Sequence, residues 1–375
     1  ALLEMHDKLK SHKSGMHVFV GKPQDVFKKI LKEYDIQGVF TNHDYEPYAT
    51  KRDGDIQKIL REHGKDFVTF KDQVIFEKGD VIKDDGGFYF VYTPYSRKWN
   101  ETFNKTKPEL AFKSELQMDH FVKASGFVPT LEEIGFERSD KEFPKKSVKK
   151  EVFLKYKEQR DFPELDATSH LSTHLRFGTV SIRDLVAKAK ELRADTWLSE
   201  LIWREFFMQI LYHNPRVVSE PFKPQYAKIK WRNNEDDFLA WCQGKTGYPI
   251  VDAGMRELNQ TGHMHNRVRM ITASFLVKHL LIDWRWGEKY FAEKLFDFDL
   301  AANNGNWQWV AGCGCDAAPY FRIFNPDSQQ EKFDKNLKYI KKWVQEYGTE
   351  SYPKPIVDHK MAREHCLKAY SVVKD

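Results

Sequence analysis

Short apolar runs alternate with amphipathic stretches up to about residue 100 of the chain. The apolar runs predict β-strands at Met16–Val20, Gly38–Asn42 and Phe67–Phe70. The stretches around them predict helices at Ala1–Lys10, Pro23–Tyr34 and Thr50–His63. Strands that alternate with helices in this way form a parallel sheet flanked by helices. We therefore predict an α/β domain over residues 1–102.

From Glu151 onward the apolar residues recur at helical spacing, and no strand-like alternation interrupts them. The clearest predicted helices are Trp197–Tyr212, Asp237–Gln243, Tyr248–Thr261, His265–Leu281, Glu288–Phe296 and Glu331–Glu346. A weakly patterned connector over residues 103–150 ends in four lysines, Lys145, Lys146, Lys149 and Lys150. Such a cluster is typical of a solvated linker, with direct DNA binding as the less favoured alternative. Residues 151–375 are predicted to form a larger, all-helical domain.

Composition narrows the class of protein. The chain has 375 residues, with 41% hydrophobic and 31% charged residues, which is typical of a globular protein with two domains. No apolar run approaches the ~18 residues that a membrane span needs, and no signal peptide is visible. The net charge of +5 is too mild to indicate nucleic-acid binding without a local basic patch.

The four cysteines, at positions 242, 313, 315 and 366, are too few and too irregular for a disulfide framework. Cys313 and Cys315 resemble half of a metal site, but no second Cys/His pair has matching spacing, so we predict no metal. This cysteine usage predicts a reduced, cytoplasmic protein.

The most unusual composition lies between Asp297 and Trp309. These thirteen residues contain two carboxylates, four amides, a glycine and two tryptophans. That mixture is unusual for a core helix and equally unusual for a surface loop. It suits a pocket for a flat aromatic ligand, whose faces meet rings and whose polar rim meets Asp and Asn.

A second candidate segment precedes it. Residues Thr168 to Ser172 place three hydroxyls within five residues at the predicted start of a helix. Hydroxyls and free backbone N–H groups at a helix start can bind an anion, although from these residues alone a plain helix cap is the better interpretation.

These motifs together carry a family resemblance. The stretch Asp297–Trp309 and the segment Asp316–Pro326, which reads Asp-Ala-Ala-Pro-Tyr-Phe-Arg-Ile-Phe-Asn-Pro, closely resemble the flavin-binding signature of the photolyase/cryptochrome family. The resemblance runs from about Gly38 to the C-terminus, and within the family it is closest to class I cyclobutane pyrimidine dimer photolyases. It implies a Rossmann-like N-terminal α/β domain, here lacking the strand and helix with which family members open, and a larger all-α FAD-binding domain.

The resemblance assigns FAD to one set of residues. Its members are Tyr156, Thr168, Ser169, His170, Leu171, Ser172, Trp197, Arg269, Asp297, Asp299 and Asn303. Residues 168–172 would cradle the pyrophosphate, and Arg269 would pair with Asp297. A guanidinium beside reduced flavin favours the anionic form of the flavin through charge attraction. Asn303 would face the reactive ring nitrogen, and since an amide cannot release a proton as an Asp can, it favours the fully reduced anion.

A second set would contact damaged DNA. It comprises Arg160, Glu200, Trp203, Asn266, Arg267, Met270, Trp309 and Gln329. Without the resemblance, Glu200 would be interpreted as a surface carboxylate and Met270 as a core residue. With it, Trp203 and Trp309 wall a pocket for a flipped-out dimer, and Glu200 donates a hydrogen bond to a thymine carbonyl. A carboxyl that donates must be protonated, so burial should raise the pKa of Glu200. The (6-4) photolyases carry His at both the Asn266 and the Met270 positions.

The remaining DNA contacts and the tryptophans also follow from the resemblance alone. Arg160 and Arg267 suit phosphate through their bidentate geometry, and Gln329 matches a DNA-contacting position. Trp231, Trp284 and Trp307 match the electron-transfer triad of the family, although their spacing by itself favours core packing. We interpret the nearby Trp241 and Trp286 as structural.

The implied activity is light-driven DNA repair. Excited, reduced FAD would pass an electron to a cyclobutane dimer in duplex or single-stranded DNA, and the electron would return after the ring splits. The protein would act as a cytoplasmic monomer, associated with the nucleoid in a bacterium. The alternatives are a cryptochrome-type blue-light photoreceptor without repair activity and a non-catalytic flavoprotein that binds DNA.

A second chromophore is less defined. Residues Asn42 to Glu46 resemble the loop that holds a folate antenna, with Glu46 at the key acidic position. The lysine expected after the helix that ends near His213 is replaced by a segment, Arg216–Glu220, without lysine. A folate, a deazaflavin, a flavin or no antenna therefore all stay open.

Overall fold

A computed structural model describes residues 1–112 and 118–373 of the chain. Its first part contains helices α1 (Leu2–Ser11), α2 (Pro23–Glu33) and α3 (Pro47–Glu62) and strands β1 (Gly38–Asn42) and β2 (Asp66–Phe70). The two strands are parallel, with Gly38 opposite Asp66 and Asn42 opposite Phe70. Helix α3 is the crossover between them, as parallel pairing requires. The predicted α/β character of this part is confirmed.

The predicted strand at Met16–Val20 is wrong. This segment forms a single bridge, between His17 and Phe127. The Val18 N–H donates to the Phe127 carbonyl at 2.9 Å, and the Phe127 N–H donates to the Met16 carbonyl at 2.8 Å. An apolar run indicates that a segment is packed against the core. It does not show that a second extended segment runs alongside it for the several residues that a β-ladder needs. Here the partner is one residue of the connector.

The connector begins with a regular helix. Helix α4 (Tyr92–Thr106) crosses the predicted boundary at residue 102 and packs against a long helix, α9, of the helical part. Of the predicted connector, residues 113–117 lie outside the described residues, as do 374–375 at the chain end. Among the four lysines, Lys146 pairs with Glu4 at 2.9 Å. The exact domain bounds stay a prediction.

The rest of the described chain is helical, and no strand is found in it after Phe70. The helices are α5 (Lys150–Leu154), α6 (Tyr156–Gln159), α7 (Ser172–Arg176), α8 (Ile182–Glu191), α9 (Asp195–His213), α10 (Glu235–Gln243), α11 (Pro249–Thr261), α12 (Asn266–Ser274), α13 (Trp284–Lys294), α14 (Leu300–Ala311), α15 (Pro326–Phe333), α16 (Lys338–Trp343) and α17 (His359–Ala369). No helix in the described ranges has the length and apolarity to cross a membrane.

Two predicted helices are interrupted. The helix predicted at His265–Leu281 is α12 followed by a π-helical segment, Phe275–His279. The helix predicted at Glu331–Glu346 is divided into α15 and α16. The Asp334 carboxylate accepts hydrogen bonds from the backbone N–H groups of Tyr339 and Ile340 at 3.0 and 2.9 Å, and it thereby starts a new helix.

Helix α14 lies between α9 and α13, and half of its residues are buried. A Cβ atom at Gly305 would overlap Phe207 of α9. Most of the Asp297–Trp309 stretch therefore lies in a partly buried helix and not in a fully buried core helix, in keeping with its composition. Asn304 and Gln308 donate to the Val217 carbonyl at 3.0 and 2.8 Å. These amides satisfy the backbone of a neighbouring loop, which explains how a partly buried helix accommodates them.

Candidate active site

Arg269 and Asp297 form the ion pair that was predicted. The Arg269 Nη2 atom lies 3.1 and 2.9 Å from the two carboxylate oxygens, and the Arg269 Nε donates to the Met264 carbonyl at 2.7 Å. Ser172, at the start of α7, also donates to Asp297. Burial alone would raise the pKa of Asp297, but the charge and hydrogen bonds of Arg269, together with Ser172, lower it overall. The carboxylate therefore stays ionised between α7 and α12.

Two neutral histidines surround this pair. Burial and then the charge of Arg269 lower the pKa of His263 to about 3 and that of His265 to about 4. The His263 ring lies 4.7 Å from the ring of His170, which holds the 168–172 segment in a left-handed turn with φ of 52°. Because both histidines are neutral at physiological pH, Arg269 supplies the positive charge beside Asp297.

Two other predicted flavin contacts lie at the start of α14. Asp299 caps the helix by accepting the Ala302 N–H at 3.0 Å. The Asn303 amide donates to the backbone carbonyl and the Oε1 atom of Glu288, at 3.0 and 2.9 Å. Burial raises the pKa of Glu288, against a smaller opposite effect of Asn303. Sequence reasoning missed Glu288, because no local pattern shows which residue of α13 meets Asn303.

The rest of the predicted flavin set lies on α6, in the loop before α7 and on α9. Leu171 is buried, whereas Tyr156 is half-buried at the start of α6. Trp197 is buried in the core, with its ring 4.6 Å from that of Phe153. Their contact with a cofactor stays a prediction.

The donor set of this region fits a flavin. It combines a carboxylate, a guanidinium, hydroxyls and an amide, which are the groups that recognise a polar aromatic rim. Within the described chain, His265 Nε2 and Arg267 Nε are buried without a hydrogen-bond partner. Buried polar atoms are normally paired, so these two atoms are available to a bound group, although five other buried atoms of the described chain also lack a hydrogen-bond partner.

Four charged side chains form a second group, beside the first. Arg160 pairs directly with Glu200 of α9, and its guanidinium lies 5.7 Å from the centre of the Tyr156 ring. Arg267 of α12 donates to Asp161 at 2.7 Å, and its guanidinium lies 4.4 Å from the centre of the Phe333 ring. Both predicted DNA-contacting arginines therefore have carboxylate partners. Sequence reasoning missed Asp161, which follows Arg160 directly but gives no signal of its own.

Glu200 has the raised pKa that was predicted. Burial raises it, although the charge and hydrogen bond of Arg160 act in the opposite direction. Asp161 adds a smaller upward effect through repulsion between carboxylates. The carboxyl group is therefore biased towards its protonated form while still beside a cation.

The other predicted substrate residues are distributed around this group. Trp203 stacks on Tyr92, with ring centroids 3.6 Å apart. Asn266 is exposed at the start of α12, and the Met270 Sδ atom lies 3.8 Å from Arg267 Nη1. Trp309 and Gln329 are half-buried on α14 and α15. The roles of these residues stay predictions.

The three tryptophans of the predicted relay lie on the α13 side of α14. Trp307 and Trp284 are 3% and 2% exposed, whereas Trp231 is half-buried. A Cβ atom at Gly287, one turn after Trp284 on α13, would overlap the Trp307 ring. Trp284 and Trp231 line one cavity of about 120 Å³. Of the three, only Trp231, the last member of the predicted relay, is partly exposed. The Trp307 ring also meets Trp241 edge-on at 6.2 Å.

The predicted antenna loop has its polar groups paired. Glu46 binds Arg176 of α7 at 2.9 Å, and burial raises the pKa of Glu46 against the effect of that arginine. The Asn42 amide donates to Asp72 at 2.9 Å. The acid expected at an antenna is thus joined to the helix that carries the predicted pyrophosphate cradle.

The four cysteines are buried free thiols.

Known proteins match the chain in both halves. The family model of DNA photolyase matches residues 1–112, and that of the FAD binding domain of DNA photolyase matches residues 197–350. A relative named deoxyribodipyrimidine photo-lyase from Vibrio cholerae is 40% identical, over 92% of this chain and 81% of its own length.

Solved structures agree. A bacterial class III photolyase from Agrobacterium tumefaciens is 34% identical with a TM-score of 0.87, over 100% of this chain and 87% of that one. An archaeal photolyase from Sulfolobus tokodaii is 33% identical with a TM-score of 0.77, over 98% of this chain and 86% of that one. It is described with two FAD molecules, which implies a novel light-harvesting cofactor in that protein.

Proposed function

Because the chain belongs to the photolyase/cryptochrome family, we propose that it binds FAD and uses light to split cyclobutane pyrimidine dimers in DNA. The observation that supports this best is the position of α12 between two groups of charges. Arg269 faces the flavin side through Asp297, and Arg267, two residues earlier, faces Asp161 beside Arg160. One helix thus connects a cofactor site to a substrate site.

The flavin site holds and orients its ligand. Residues 168–172 bind the pyrophosphate, and Asp297, Asp299 and Asn303 address the polar rim. When bound, reduced FAD supplies the light-driven electron transfer that opens the cyclobutane ring. The charge of Arg269 favours an anionic ligand in this position.

The substrate site receives a dimer extruded from the helix, which costs little because damaged bases stack and pair poorly. Arg160 and Arg267 bind the phosphates beside the lesion, and Gln329 adds a polar contact. Glu200 holds a proton and donates a hydrogen bond to a pyrimidine carbonyl. Trp203 and Trp309 wall the pocket, and Asn266 and Met270 complete it.

The tryptophans serve a separate purpose. When bound flavin is oxidised and excited by light, Trp307 would supply it with an electron. Trp284 and Trp231 would carry the resulting hole outward to the half-buried end, where an external reductant would refill Trp231. Repair itself does not use this path. Trp307 lies against α13 one turn from Trp284, and this placement supports the order of the relay.

We further propose a monomer that accepts duplex or single-stranded DNA in the cytoplasm, with nucleoid association in a bacterium. A second chromophore at the Asn42–Glu46 loop would need to displace the Glu46–Arg176 pair.

Lesion specificity tests the proposal. The protein is denatured and the released flavin identified, and the reduced protein is illuminated with oligonucleotides that carry either a cyclobutane dimer or a (6-4) product. Residues 168–172 together with Asp297–Trp309 predict one noncovalent FAD per chain. Asn266 and Met270, in place of two His, predict repair of the cyclobutane dimer alone. Efficient (6-4) repair contradicts the substrate assignment. Repair of neither lesion by the FAD-loaded protein favours the photoreceptor alternative.

A further inference from the structure

Tyr92 is joined to both ends of the helical turn that carries Glu200 and Trp203. Its ring stacks on Trp203 with a centroid distance of 3.6 Å and an interplanar angle of 7°. Its hydroxyl donates to the Ser199 carbonyl at 2.9 Å and lies 2.7 Å from the Ser199 hydroxyl. Ser199 and Trp203 are four residues apart and share one face of α9. The phenol therefore makes the closest ring contact of the indole, which Phe206 and Phe207 also meet at centroid distances of 5.6 Å.

Tyr92 is itself held from two directions. Its backbone N–H donates to Asp316 at 3.0 Å, in the loop after α14. Tyr95 and Trp99, on the same face of α4, donate to the buried carboxyl of Glu205 at 3.1 and 2.7 Å. These bonds fix the backbone of α4 against α9, so the Tyr92 side chain starts from a fixed position beside Trp203.

We propose that Tyr92 is a positioning residue that holds Trp203 ready to stack on an extruded pyrimidine dimer. This inference rests on the proposed function of Trp203. An indole that is free to turn loses that freedom on binding, which costs about two- to twelvefold in affinity for one side chain. An indole already fixed avoids this loss. Undamaged duplex keeps its bases stacked and does not contact this surface. Tyr92 should therefore increase the affinity for DNA that contains a dimer relative to undamaged DNA.

The test compares Tyr92→Leu with Tyr92→Phe in the FAD-loaded protein. Dissociation constants are measured in the dark for one oligonucleotide with and without a cyclobutane dimer. Tyr92→Leu should weaken dimer binding about two- to twelvefold and leave undamaged binding unchanged. Tyr92→Phe keeps the stacked ring and should restore most of the preference. Repair yield at saturating DNA should not change, since the residue acts on binding and not on the reaction.

A matched control is available on the same helix. Phe103 stacks on Trp99 with a centroid distance of 5.1 Å and an angle of 11°, away from the substrate residues. Phe103→Leu removes a comparable stack and should leave the preference for damage unchanged. Flavin content and unfolding temperature show whether each variant is folded.

A double-mutant cycle separates this inference from the proposed function. If Tyr92 acts through Trp203, Tyr92→Leu should cause no further loss in a Trp203→Leu background. An unchanged preference in Tyr92→Leu, or an equal loss in both backgrounds, overturns the positioning role and leaves that of Trp203 intact. An unchanged preference in Trp203→Leu alone overturns both.

Discussion

Helix α14 separates two regions of opposite character. On its α9 side lies the pair Arg160–Glu200, and Asp161 beside Arg160 extends this group to Arg267 of α12; these side chains are partly exposed. On its α13 side lie Trp307 and Trp284, which are buried in a continuous apolar core. Both regions adjoin the same candidate flavin residues at the start of α14.

The difference between the two regions lies in what each partner can do. A guanidinium can exchange a carboxylate for a phosphate, because it can donate two parallel hydrogen bonds to a pair of anionic oxygens in either group. A buried indole has no alternative partner, and its surroundings are fixed by close packing. The α9 side is thus suited to binding and releasing a substrate, and the α13 side to passing electrons without rearrangement. A substitution on one side should therefore impair the activity of that side and leave the activity of the other side unchanged.

The largest effect is expected on the α13 side. Trp307→Phe should abolish photoreduction of oxidised FAD, because phenylalanine is far harder to oxidise than tryptophan and ends the relay at its first step. The ring volume is nearly kept, so the fold should survive. Dimer repair should continue at close to the normal rate once the flavin is reduced chemically. Absorbance under illumination measures the first activity, and loss of dimers measures the second.

Trp241 provides the matched control for this prediction. It is fully buried and meets Trp307 edge-on at 6.2 Å, but it lies outside the predicted relay. Trp241→Phe should leave photoreduction intact. If Trp241→Phe abolished photoreduction and Trp307→Phe did not, the relay would run through Trp241. Trp284 and Trp231 would then be core-packing residues only.

An intermediate effect is expected from Glu200 on the α9 side. Glu200→Ala removes the hydrogen-bond donor to the dimer and should lower the repair yield per photon about two- to tenfold. Because burial raises the pKa of Glu200, the protonated donor is present at low pH and is lost as the pH rises through that pKa. Repair by the parent protein should therefore fall with rising pH. Glu200→Gln keeps an N–H donor at every pH and should flatten this profile, with photoreduction unchanged.

Glu205, five residues further along α9, is the control for Glu200. It accepts hydrogen bonds from the Ile75 N–H at 2.8 Å and from Trp99 and Tyr95, and burial raises its pKa to about 7. Glu205→Gln directs an amide N–H at these donors and should cost roughly 1–3 kcal/mol of stability for each one left unpaired. Thermal unfolding would show this loss, while the repair yield per folded molecule stays unchanged. A lower yield without lower stability would place Glu205 in the substrate site.

The sequence predicted the features of the fold and of the site that depend on a local residue pattern or on a long sequence motif. The strands β1 and β2 and most helices followed from apolar spacing, and the Arg269–Asp297 pair followed from the resemblance. The contacts of Asn303 with Glu288, of Arg267 with Asp161 and of Trp203 with Tyr92 could not be predicted. In each case the partners lie on different elements, and their meeting depends on how the helices pack. The amides of α14 show the same limit, since Asn304 and Gln308 bind a loop that no pattern in the helix indicates.

The smallest effect is expected in the salt dependence of DNA binding. Each phosphate that an arginine neutralises in duplex DNA contributes ~0.9 log unit of affinity per log unit of salt through counterion release. Arg160→Ala and Arg267→Ala should each flatten the slope by less than that amount. Both arginines must leave a carboxylate, Glu200 or Asp161, to reach a phosphate, and the loss of that pair offsets part of the gain. Arg256 pairs with Glu346 at 2.7 and 2.9 Å on α11 and is the matched control, for which no change in slope is expected. Equal slopes in all three variants would place the phosphate contacts elsewhere and leave the four charges as structural pairs.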